Sequence, residues 1–173
     1  MLLSNYTTTA LEDWVSNWYQ RIGINNPKQI NLKYIARYYD VFIHQKEMPA
    51  RYDVFGRYQA ITLDSRTSVI EQREQFFHEF AHILRHCGNQ SMLPDAFRQL
   101  QEWDARHFTM YAALPYHMLH NYEWDNPCLI EDLAHDFRVS ENLCLERIEK
   151  IKRNNSTNFH IETMYAKANE VME

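Results

Sequence analysis

The run from Ser68 to Cys87, SVIEQREQFFHEFAHILRHC, contains no proline or glycine and carries His78-Glu79-Phe80-Ala81-His82. Val69, Ile70, Phe76, Phe77, Phe80, Ala81, Ile83 and Leu84 cover one broad side. Glu71 to Gln75 make the first half polar, and Gly88 follows at a stop position. This pattern predicts a helix over 68–87 that enters from the surface and buries its second half. On such a helix, positions four apart lie about 40° apart around the axis and one turn up. Two imidazoles so placed reach one metal ion. The intervening Glu sits about 100° round, where it reaches a water at the ion and not the ion itself. The spacing has chemical meaning only on a helix. With 9 His in the chain, an HExxH arises by chance on the order of a few per cent of the time. Helical context and a third ligand must therefore decide.

A catalytic zinc site has three protein ligands and one open position. The extended pattern HExxHxxGxxH fails here, because Arg85 and Gly88 stand where Gly and the last His would be. A carboxylate from a following helix is the other route. The stretch 93–114, LPDAFRQLQEWDARHFTMYAAL, predicts that helix and carries Glu102 and Asp104. Asp132 and Asp136 are more distant candidates. Two imidazoles and a carboxylate suit Zn2+. Without an ion, His78 and His82 would be a core imidazole pair, and Glu79 and Glu102 solvated carboxylates.

HEFAHILRH followed by EWDARHFTMYAALP resembles the ImmA/IrrE family of metallopeptidases, whose second block reads E-x-E-A-x-x-F-A before a proline. Here that block is Glu102, Asp104, Ala105, Phe108 and Leu114-Pro115. The resemblance is specific over roughly 58–115. It implies Glu102 as the third zinc ligand and Glu79 as the general base. His86 matches an additional His of the family that is not usually a ligand. Ala81, Asp104 and Thr109 depart from its Gly, Glu and Ala. The resemblance also implies an endopeptidase acting on a protein, namely a helix-turn-helix repressor of a phage or mobile element. The alternative class is a non-catalytic, zinc-stabilised regulator that binds a repressor or DNA. Glu79 separates the two, since a structural site takes four ligands and needs no spare carboxylate.

Composition bounds the rest. The chain has 173 residues, 45% of them hydrophobic, with 3 Gly and 5 Pro, as expected of a single domain over 1–173 without long linkers. Residues 1–120 read as the core, 127–153 as a helical hairpin and 154–173 as a tail. There is no apolar run long enough to span a membrane and no secretory signal at the start. Cys87, Cys128 and Cys144 are odd in number and widely spaced, which suits reduced thiols in the cytoplasm. A net charge of -5 argues against broad nucleic-acid affinity. The second helix of the 129–151 hairpin also opens with Ser140-Glu141-Asn142, which lacks the basic character of a DNA reader.

The remaining pattern predicts helices over 8–22 with Thr9 as cap, 31–39, 94–113, 128–137 and 140–153. Asn154 to Asn158 reads as a flexible break before a last short helix. Strands are expected at 41–45, 52–55 and 58–63, the last two a hairpin about Gly56. The Tyr58–Leu63 strand reads as an edge over the motif helix, where a substrate backbone would pair. The fold class expected is α+β: a helix-rich, zincin-like domain with a small antiparallel or mixed sheet beside the HExxH helix. His107, His117 and His120 form a loose cluster with Tyr111 and Tyr116 that reads as packing more readily than as an oxyanion contact.

Overall fold

The computed structural model describes residues 6–85 and 94–170, with side chains described as far as Asn155. His86 and Cys87 lie outside the described residues.

Helix α1 spans Ala10–Arg21. Thr9 and Glu12 form a reciprocal capping box at its start, which satisfies two main-chain N–H groups that the helix leaves without partners. Gly23, at φ 74°, follows its last turn; that conformation is disfavoured for any residue with a Cβ. A 3-10 turn at Pro27–Gln29 and helix α2 at Leu32–Tyr38 follow, capped by Asn26 and Asn31.

The sheet has strands β1 (Val41–Lys46), β2 (Arg51–Phe55) and β3 (Tyr58–Asp64) in the order β1-β3-β2. β1 runs parallel to β3, with Val41 opposite Gln59, and β2 runs antiparallel to β3, with Tyr52 opposite Ile61. Gly56 (φ 60°) makes the tight β2–β3 turn. The sheet is thus mixed. The expectation that β3 forms an edge is overturned: β3 is the central strand and β2 the edge near the HExxH helix. The reason lies in β3 itself. Ala60, Ile61, Thr62 and Leu63 are all buried, and a strand buried on both faces is best placed between two neighbours.

Helix α3 spans Val69–Arg85. Ser68 and Glu71 exchange hydrogen bonds at its start, Glu71 N donating to Oγ and Ser68 N to the carboxylate. Helix α4 (Asp95–Ala113) packs against α3, and the short helix α5 (Tyr116–Leu119) follows Pro115. Helix α6 (Leu129–Phe137) ends at Arg138 in the left-handed conformation, and α7 runs Glu141–Glu170. The expected break at Asn154–Asn158 is therefore absent, and the helix passes through it. No glycine or proline occurs in α7. Asn, Ser and Thr cost at most about 0.7 kcal/mol each relative to Ala, too little to end a helix on their own. No described helix is long and apolar enough to cross a membrane.

The core sits between the sheet, α1, α3 and α4. Phe76 and Phe80 of α3 stack at 5.3 Å, and Trp18 of α1 lies 5.9 Å from Phe80 and 6.0 Å from Phe108 of α4. Each such ring contributes about 1.5–3 kcal/mol by leaving water. A second tie crosses the core from α7. Arg147 Nη1 lies 2.6 Å from Glu12 Oε1, both side chains fully buried. Arg147 Nε donates to the Leu114 carbonyl, and its guanidinium covers the Tyr111 ring at 4.7 Å. Tyr6 Oη and Thr9 N donate to the same Glu12 carboxylate. Burial pushes the Glu12 pKa up, but Arg147, with these hydrogen bonds, more than offsets it and holds the group below its ordinary value of 4.5.

Removing one partner of a buried pair leaves the other charge uncompensated. Arg147→Met is expected to cost about 3–5 kcal/mol in urea unfolding, with most of that loss recovered in Glu12→Gln/Arg147→Met. Because the folded-state pKa of Glu12 is depressed, its contribution is complete above pH 4.5 and is lost as pH falls below that value. The double variant should show a correspondingly shallower loss of stability between neutral pH and acid.

Candidate metal centre

Helix α3 serves two faces at once. Phe76, Phe77, Phe80 and Ala81 are fully buried in the core, while His78 and His82 turn towards α4. Their Nε2 atoms lie 3.4 Å apart. Glu102 of α4 completes a triangle: its Oε2 is 3.1 Å from His78 Nε2 and its Oε1 is 3.4 Å from His82 Nε2. Donors held about 2.1 Å from one tetrahedral ion stand roughly 3.4 Å from each other. The observed separations match that spacing, so the donor set fits a single zinc-sized ion. Among the described residues, His78, His82 and Glu102 form the group able to hold a metal.

The other carboxylates considered are engaged elsewhere. Asp104 receives two hydrogen bonds from Arg85, from Nε at 2.7 Å and Nη2 at 3.0 Å. This pair ties the end of α3 to α4 two residues from Glu102. Asp136 accepts from Tyr122 Oη, and Asp132 from the side-chain amide of Asn126. Of the other histidines, His107 donates from Nδ1 to the Trp103 carbonyl at 2.8 Å and packs 4.0 Å from that indole. His120 packs on Tyr116, and His117 lies beside Tyr19. These are packing positions.

His82 is buried, whereas the His78 side chain is 32% and the Glu102 side chain 51% exposed. The group therefore has a protein side and an open side. Sequence reading missed what covers the protein side. Tyr52 of β2 stacks on His82 with ring centres 5.1 Å apart and planes at 15°, and its main-chain N–H is hydrogen-bonded to Glu79. Nothing in the residue type at position 52 announces this; only its place on an edge strand does. Glu79 is 9% exposed. Burial, reinforced by the negative charge of Glu102, pushes its pKa up to about 7, and the Tyr52 N–H works in the opposite direction.

Beside His78 and Glu79 opens a cleft of about 340 Å³ with Thr109 and Leu143 in its lining. The start of α7 forms one wall. Ser140 N donates to Glu74 at 2.7 Å, and Arg106 pairs with Glu146 at 3.4 Å. The α6–α7 hairpin thus borders the site directly.

Residues 36–149 match the IrrE N-terminal-like domain of the M78 peptidases. The chain belongs to this family. The match reaches well beyond the HExxH and Glu102 blocks: it takes in the sheet, α3, α4, α6 and the part of α7 that contains Arg147. Only α1, which supplies Glu12, lies wholly outside among the elements of the core. Two relatives come from Bacillus subtilis (strain 168). "Uncharacterized protein YqaB" is 34% identical over 145 residues, covering 83% of this chain and 84% of its own. "Phage-like element PBSX protein XkdA" is 33% identical over 146 residues, covering 83% and 73%. No solved structure matches. An M78 peptidase domain is a metallopeptidase-type domain, and the donor triangle agrees with that type.

If one ion shares the three donors, His78→Ala and Glu102→Ala should each reduce zinc affinity by more than the ~10–100-fold typical of losing a supporting residue. Asp104→Ala should retain zinc. Metal analysis of the purified variants checks this, and full retention in Glu102→Ala would remove Glu102 from the site.

Proposed function

We propose that this M78-family chain is a zinc-dependent endopeptidase that cuts a protein, and that the protein is a helix-turn-helix repressor of a phage or mobile element. The observation that carries the hydrolytic reading is the combination of three converging donors with a fourth group, the acidic Glu79, held beside them and outside the triangle. A purely structural zinc would take a closed, four-ligand set.

When bound, the ion would supply Lewis acidity, acidifying water and polarising a carbonyl. Glu79 takes the proton of the attacking water and passes it to the nitrogen of the departing amine. The Tyr52 N–H and the walls of its burial site hold the carboxylate in place for both transfers. His82, enclosed by Tyr52, anchors the site, while the open side at His78 and Glu102 admits the polypeptide. β2 is an outer strand next to α3, and an extended substrate backbone aligns along its edge beside Tyr52, whose own N–H is held by Glu79. The cleft beside His78 and Glu79 receives a substrate side chain. The repressor as substrate is supported by the family and by the phage-element name of one relative.

Glu79→Gln should keep the metal and lose at least ~100-fold in rate, the scale of a general-base contribution. The measurement is cleavage of a purified helix-turn-helix repressor, followed by fragment mass, with and without chelator. Chelator-sensitive fragments are expected from the wild type only. A Glu79→Gln variant cutting at near-native rate would refute the role of Glu79. An intact repressor with altered DNA binding would point to the non-catalytic regulator.

A further inference from the structure

A cavity of about 700 Å³, larger than the cleft beside Glu79, lies at the opposite edge of the sheet from the metal centre. Its floor and walls are Leu32 and Ala36 of α2, Val41 and Ile43 of β1, Leu63 of β3 and Val69 of α3. Val69 is 80% exposed. From Gln72, at this end of α3, to His78 is about 9 Å along the helix axis at 1.5 Å per residue.

Two further features distinguish this groove. Among the described residues β1 pairs with β3 alone, so alternate main-chain N–H and C=O groups along its outer side have no ladder partner there. Lys33 and Arg37, one helical turn apart on α2, line the groove and are exposed. Arg51, Arg66, Arg85, Arg106 and Arg147 each hold a carboxylate. Lys33 and Arg37 form no such ion pair among the described residues. Asp40, at the turn into β1, is the one acid among the described residues of the lining. The excess of positive charge stands out on a chain of net charge -5.

We propose that this groove and the outer edge of β1 bind an extended, acidic segment of a protein partner, added to the sheet as a fourth strand. The strand edge supplies main-chain hydrogen bonds, the apolar floor takes alternate side chains, and Lys33 and Arg37 meet the carboxylates. An acyl chain would leave the strand's polar groups unpaired. A second copy of this chain, pairing β1 with β1 about a two-fold axis, would bring its own Lys33 and Arg37 against this pair. The site is separate from the metal centre and does not depend on the proposed peptidase activity.

The probe is a fluorescein-labelled octapeptide, Val-Glu-Val-Asp-Leu-Glu-Val-Glu, with a control in which lysine replaces each acid. Binding is read by fluorescence anisotropy on the full chain carrying Glu79→Gln, with and without chelator. The acidic peptide should bind saturably, equally in chelator, and the lysine peptide should not. Lys33→Glu/Arg37→Glu should weaken binding at least ~10-fold, and Val69→Asp should weaken it too. All three positions are exposed, and circular dichroism checks the fold of each variant. Amide shifts should map to β1 and α2. Unchanged affinity in the charge-reversed variant, equal binding of the lysine peptide, or shifts confined to β2 and His82 would overturn the proposal. So would capture of phosphatidylglycerol vesicles, or self-association, in place of peptide binding.

Discussion

Helix α3 has to bury Phe76 and Phe80 and, within the same turns, present His78 and His82 to α4. Helical geometry reconciles the two demands, because residues four apart share a face while their neighbours point about 100° away. The histidine pair alone provides only two donors. The third depends on the register of α4 against α3, since a slip of one residue would swing Glu102 by about 100°. Aromatic packing of Phe80, Trp18 and Phe108 holds the two helices together. The Arg85–Asp104 pair ties them beside the site. The donor triangle is in this sense a consequence of core packing.

The C-terminal helices belong to the same arrangement. Arg147 brings α7 onto Glu12 of α1 and onto the end of α4 through the Leu114 carbonyl. With α7 so anchored, Ser140 meets Glu74 and Leu143 lines the cleft at Glu79. A buried charge pair is weak evidence for net stability, because desolvation costs about as much as attraction returns. Its value here is positional: each partner demands the other, which excludes packings of α7 that would separate them. Glu12 also serves in the α1 capping box, so one carboxylate joins helix initiation to the placement of α7.

The two edges of the sheet face different surroundings. At β2 the main chain reaches Glu79 and the Tyr52 ring covers His82, so this edge borders the donor triangle. At β1 the edge opens onto an apolar groove with a cationic rim. The central strand separates them because it is the only one of the three with a buried run on both faces. The same pattern was readable as a strand, and yet its place in the sheet was not, because hydrophobicity along one strand does not say which partners flank it.

Helices, the Thr9 cap and the hairpin turn were legible because their causes are local: Thr9 before α1, Gly56 between two strands, and apolar positions repeating along α3. The run from Asn154 to Asn158 misled because weak helix formers lower local propensity without ending a helix that has no glycine or proline. By itself the sequence determined that His78 and His82 share one helical face with Glu79 beside them, since that follows from spacing along a single element. Tertiary structure decided the rest: that Glu102 meets the histidines while Asp104 turns to Arg85, that Tyr52 encloses His82, and that α7 walls the cleft. Those choices rest on contacts between residues far apart in the chain, which packing alone selects.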